Sequence, residues 1–276
     1  MSKLYPVGVQ NFEKVILGGY EYVDKTALIY ELFNTGSYYF LSRPRRFGKS
    51  LLLSTLEAYA QGKKELFKGL ALEKLEKDWT VYPVLHLDLN TEKYDTEASL
   101  ENKLELTLKQ WEAEYGYNPD EYSVATRFEG VIRRACEQTS HRVVILIDEY
   151  DKPMLQAIGN EALQNEYRST LKAFYGALKS MDGCIRFALL TGVTKFGKVS
   201  VFSDLNNLRD ISMIDQYAEI CGISEKEVHA YFEEDIHELA TATGMSYEQA
   251  CAELKANYDG YHFTENAVGM YNPFSL

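Results

Sequence analysis

Apolar residues along the chain fall into short unbroken runs separated by longer stretches with helical spacing. Tyr38–Ser42, Tyr82–Leu89, Val143–Asp148 and Ile185–Thr191 are rich in aromatic, aliphatic and β-branched residues. Such runs read as strands covered on both faces. Around them, residues 51–67 (LLLSTLEAYAQGKKELF), 101–116 (ENKLELTLKQWEAEYG), 125–138 (ATRFEGVIRRACEQ) and 165–181 (NEYRSTLKAFYGALKSM) repeat apolar positions three and four apart. Strands alternating with long helices predict an α/β fold with a parallel sheet flanked by helices.

The pattern changes after about residue 214. Ser224-x-x-Glu227 and Ser246-x-x-Gln249 have the form of capping boxes, each opening a helix within residues 222–239 and 244–260. The expected division is therefore a sheet domain over 1–215 and a small helical unit over 216–276. The closing stretch, YDGYHFTENAVGMYNPFSL, is aromatic and turn-rich and reads as a packed segment cut short.

Composition narrows the functional classes. The 276 residues carry a formal net charge of −12, with the acidic residues dispersed, which argues against a continuous nucleic-acid-binding face. Cys136, Cys184, Cys221 and Cys251 lie far apart without ligand spacing, the pattern of a reduced, cytoplasmic chain. The five histidines form no transition-metal pattern either. Neither a signal-peptide core nor an apolar run of about 18 residues is present, so no membrane segment is expected.

The candidate chemistry lies at two strand ends. In SRPRRFGKSLLL, an apolar strand runs into Gly48-Lys49-Ser50 and a leucine-rich helix follows. A phosphate-binding loop needs curled backbone amides, a lysine for the terminal phosphates and a hydroxyl for Mg2+. Arg45, Arg46, Phe47, Gly48, Lys49, Ser50 and Leu51 would form that segment. Arg43 stands where the first glycine of such a loop usually is; backbone amides make the cradle, so a residue at negative φ can serve. The alternative is a basic turn capping a helix. In RVVILIDEYD, Asp148 would hold Mg2+ and Glu149 would polarise an attacking water; alone, the same residues read as an acidic strand end. Thr191 or Thr194, ending the fourth run, is the candidate to sense a γ-phosphate, against ordinary turn chemistry. Arg209 is either an arginine finger in cis or a structural charge, and Asn206-Asn207 reads as a turn or cap.

Taken together, YVDKTALIYEL (22–32), SRPRRFGKSLLLSTL (42–56), VVILIDEYDKP (143–153), LLTGVTKFGKVSVFSDLNNLRDIS (189–212) and YDGYHF…YNPFSL (258–276) resemble the AAA-ATPase-like family of bacterial P-loop proteins, relatives of archaeal and signal-transducing ATPases. The RPRRFGKS loop is that family's own variant. The resemblance implies a P-loop sheet of order 5-1-4-3-2, a C-terminal helical or winged-helix lid, and Mg2+ with ATP as substrate. It implies that Tyr22–Thr26 frames the adenine side, against a plain helix cap by Asp24. Many relatives carry a PD-(D/E)XK nuclease-like domain beyond YNPFSL, so the lid unit is expected to be truncated here. Two functions follow: slow ATP hydrolysis working as a conformational switch, or a nucleotide-gated interaction module with little turnover that regulates a protein partner or a nuclease domain. An oligomer supplying an arginine in trans is compatible with both.

Overall fold

The computed structural model describes residues 4–195, 207–266 and 268–276; Asn206 lies outside them. The central sheet contains β1 (Tyr38–Ser42), β2 (Val84–Asp88), β3 (Val143–Asp148), β4 (Ile185–Gly192) and β5 (Arg209–Asp210), all parallel. Their order is β2-β3-β4-β1-β5, which from the opposite edge reads 5-1-4-3-2. β1 and β3 are therefore separated by β4 alone, and their C-terminal ends lie on the same edge.

Period-two alternation divides each strand between two cores. Phe40, Ile145, Ile147, Ala188 and Leu190 face the layer made by α5 (Glu97–Tyr115), α6 (Val124–Thr139) and α8 (Glu161–Ser180). Tyr39, Leu41, Val144, Leu146, Phe187 and Leu189 face the opposite layer, with α1 (Phe12–Leu17), α2 (Thr26–Thr35), α3 (Lys49–Ala60) and α4 (Ala71–Leu75). Because both faces are covered, the strands carry apolar residues at consecutive positions, which is why they read as unbroken runs. The short α7 (Lys152–Gln156) follows β3 directly.

The later chain builds a smaller unit. β6 (Ile223–Ser224), β7 (Asp259–Tyr261) and β8 (Met270–Tyr271) form a second, antiparallel sheet of order β6-β8-β7, joined by α9 (Glu225–Thr243) and α10 (Tyr247–Tyr258). Both expected capping boxes are present: Ser224 with Glu227, and Ser246 with Gln249. Ile223, Val228, Ile236, Ala240, Ala250 and Tyr271 make a separate small core. The sheet was not legible beforehand because its strands have only two or three residues. Among the described residues, no helix is long and apolar enough to cross a membrane.

Candidate functional site

The loop from β1 to α3 turns on two left-handed residues, Arg46 at φ 64° and Gly48 at φ 92°. Arg43 is not among the residues with positive φ, so no glycine is needed at that position. The first bond inside α3 runs from the Leu52 N–H to the Gly48 carbonyl at 2.9 Å, and no side chain caps the helix. The N–H groups of Lys49, Ser50 and Leu51 thus open the helix uncapped, at the positive end of its dipole.

Two carboxylates at the end of β3 meet this loop. Ser50 donates its hydroxyl to Asp148 Oδ2 at 2.5 Å, and Thr191 donates to Oδ1 at 2.5 Å. The N–H of Glu149 also donates to Oδ1, at 3.0 Å. The Lys49 ammonium, only 4% exposed, donates to the carbonyls of Arg43 at 3.2 Å and Pro44 at 3.4 Å and pairs with Glu149 Oε1 at 3.1 Å. Glu149 sits at φ 53°, a costly conformation for a residue with a Cβ. Burial pushes its carboxyl above the usual carboxylate range; Lys49 opposes that shift, while Asp148 and Asp151 add to it.

Loop and carboxylate face a cavity of about 1080 Å³. Arg45, Arg46, Lys49, Ser50, Glu149 and Lys152 line its polar end. Val7, Val9, Ile29, Ile223 and Phe232 line its apolar part. Tyr5 stacks on Phe232 with centroids 5.3 Å apart and donates to Asp235 Oδ2 at 2.5 Å, joining the N-terminal segment to α9. Tyr22 and Val23 also line the cavity, but Asp24 is engaged elsewhere: its Oδ1 accepts from the Thr26 N–H and hydroxyl, and its Oδ2 from the Ala71 N–H. Asp24 therefore holds the first N–H of α2 and ties that helix to the start of α4.

Other candidates are placed apart. The Thr194 N–H and hydroxyl both donate to Asp151 Oδ2 at 2.7 Å, so Thr194 is not brought to the Ser50–Asp148 pair. The Phe47 side chain is fully buried, edge-on to Phe263 at 5.3 Å, and leaves only its backbone to the loop. Arg209 pairs in register with Tyr39 near the start of β1 and lines a different pocket with Thr35, Lys179 and Asp182. Lys152 and Asn90, which sequence reasoning passed over, line the cavity beside Glu149, and the Lys152 ammonium donates to Asn90 Oδ1 at 2.9 Å. The available signal was position: Lys152 lies one residue past the acidic run that ends β3.

The donors at the site are hard oxygens. Among the described residues, no three His, Cys, Asp or Glu side chains are grouped to hold an ion. What the site offers is a hydroxyl and a carboxylate in contact. Hard oxygen ligands in that small number suit Mg2+, which keeps waters and takes its other ligands from phosphates.

Residues 6–202 match a protein family described as "Predicted AAA-ATPase". An uncharacterized protein in the vnfD 5' region of Azotobacter chroococcum mcd 1 is 40% identical over 276 residues, covering 99% of this chain and 51% of that protein. The chain thus spans about half the length of this curated relative. No solved structure matches it.

Proposed function

The chain belongs to the Predicted AAA-ATPase family, and from that premise we propose that it binds ATP with Mg2+ and hydrolyses it slowly as a conformational switch. The observation that carries this reading is the uncapped start of α3 with Lys49 and Ser50 directly opposite Glu149 and Asp148. Loop amides and Lys49 would take the β- and γ-phosphates. Ser50 and Asp148 would hold Mg2+, whose charge offsets that of the phosphates. Glu149, whose burial favours the protonated form, is suited to accept a proton from water. The apolar part of the cavity, between the N-terminal segment and α9, would take the base, and residues 216–276 would serve as the lid.

The ion pair supports slow turnover. Phosphates must compete with Glu149 for the same Lys49 ammonium before that carboxylate is released, and Arg209 lies elsewhere. The same pair favours the second reading, a nucleotide-gated interaction module with little turnover. Calorimetric titration of the purified chain with MgATP, with Lys49→Ala in parallel, tests both. Binding that the variant loses supports a nucleotide site; absence of binding by the folded wild-type chain refutes it. Phosphate release over many turnovers then separates the switch enzyme from the module.

A further inference from the structure

The residues that distinguish this loop from a glycine-rich one face the C-terminal part of the chain. Arg43, 1% exposed, donates to the carbonyls of Ser212 at 2.8 Å, Tyr217 at 3.2 Å and Ala218 at 3.4 Å. The face of its guanidinium lies 3.9 Å from the Phe263 ring centre. The Asn272 amide donates to the Arg45 carbonyl at 3.4 Å, and the Arg46 guanidinium lies 3.9 Å from the ring centre of Phe274. Phe47 packs edge-on against Tyr261 and Phe263, and its carbonyl accepts from the Gly222 N–H at 3.1 Å.

These contacts are unequal in a way that matters. Tyr217 and Ala218 belong to the buried interior, so the Arg43 bonds to their carbonyls anchor the loop. Tyr261 is 38% and Phe274 50% exposed, and they belong to a region that includes a separate small core. One end of the linkage is thus fixed, while the other passes through Phe263, which packs against the same core as Phe47, to rings at the surface. The backbone between them contains the left-handed Arg46 and runs directly into the loop amides that would curl round an anion.

We propose that Arg43–Phe47 is a mechanical link through which occupancy of the phosphate loop positions residues 259–263 and 270–274, with Arg43, Phe47 and Phe263 as positioning residues. The proposal rests on the nucleotide reading above. Linkage makes it reciprocal: whatever loosens those residues weakens binding at the loop, and binding at the loop tightens them.

Hydrogen exchange of the full chain, with and without MgATP, combined with calorimetry tests it in wild type, Phe263→Ala and Arg43→Lys. Phe263 is only half-buried, so its truncation is the variant expected to remain folded. In ligand-free Phe263→Ala, exchange across residues 45–50 is expected to accelerate. Its MgATP affinity is expected to fall by roughly 5- to 150-fold, the usual span of coupling between sites. MgATP should slow exchange over residues 259–263 and 270–271 in wild type and not in the variant, a response that a purely structural role would not give. Arg43→Lys, which keeps the charge but loses the flat stacking face, should behave like Phe263→Ala. Wild-type affinity and unchanged loop exchange in Phe263→Ala overturn the link. If wild type binds no nucleotide, the nucleotide reading fails and takes the ligand half of the link with it. Exchange at 45–50 in the ligand-free variant still decides the mechanical half.

Discussion

Thr191 donates its hydroxyl to Asp148 Oδ1 at 2.5 Å from a side chain with no exposed surface. Ser50 and the Glu149 N–H supply that carboxylate's other donors. Three donors fix the plane of a carboxylate that would otherwise rotate. Thr191 is thereby placed behind Asp148, as a brace.

Thr191→Val keeps the shape and removes the donor. A hydrogen bond to a charged group contributes about 1.5–3 kcal/mol, so the urea midpoint should fall with the slope unchanged. Mg2+-dependent nucleotide binding should weaken with it. Thr191→Ser restores the hydroxyl and should recover most of both. An unaltered midpoint in Thr191→Val would show that the bond carries no net stabilisation.

Glu149→Gln removes the carboxylate from the Lys49 ammonium. Nucleotide should then bind at least as tightly as to wild type, since the phosphates no longer compete for Lys49. Turnover should fall by about 10²- to 10⁴-fold, the usual contribution of a general base. The measurement is phosphate release at saturating MgATP beside a binding titration. Undiminished release would remove Glu149 from the chemistry.

How far the sequence revealed this arrangement depends on the distance over which each feature is encoded. The four long strands, the helices between them and both capping boxes are local patterns, and they were legible. So was the approach of Ser50 to Asp148, because the loop leading to Ser50 leaves the end of β1 and Asp148 ends β3, on one edge of an α/β sheet. Thr191 and Thr194 were indistinguishable as strand-end threonines. Only the fold shows that one reaches Asp148 and the other Asp151. Arg43 was legible as an anomaly, but not its reason, since Ser212, Tyr217 and Phe263 lie 169 to 220 residues away.

Gly222 has φ 88°, and a Cβ there would lie 2.6 Å from Phe47 Cε1 and 3.2 Å from Met270 Cε. Alanine would meet both the left-handed backbone penalty, about 1–2 kcal/mol, and a ring fixed in the core. Gly222→Ala is therefore expected to lower the thermal midpoint by more than the backbone term alone and to weaken nucleotide binding by displacing Phe47. Gly244, also left-handed at φ 69° but with open space where a Cβ would go, is the control. Gly244→Ala should show the backbone cost only. Equal losses in the two variants would mean that Phe47 yields without cost.

His86 in β2 bonds through Nδ1 to Glu57 Oε2 of α3 at 2.9 Å, which joins the sheet to the helix that carries Lys49 and Ser50. Burial alone would lower its pKa, but the hydrogen bond and charge of Glu57 raise it further than burial lowers it, with Asp148 and Asp88 adding to the rise. The folded-state value thus lies above the unfolded one, near 6.5. Stabilisation from the charged pair is accordingly full below the unfolded value and disappears as pH rises through the folded value. The midpoint difference between wild type and His86→Gln should be largest near about pH 6 and shrink toward about pH 9. Glu57→Gln, which keeps a hydrogen-bonding side chain without the charge, should flatten the same dependence. Because Glu57 and Ser50 share α3, a constant difference across that range would mean the contact holds the helix through neutral packing, with no part played by the proton.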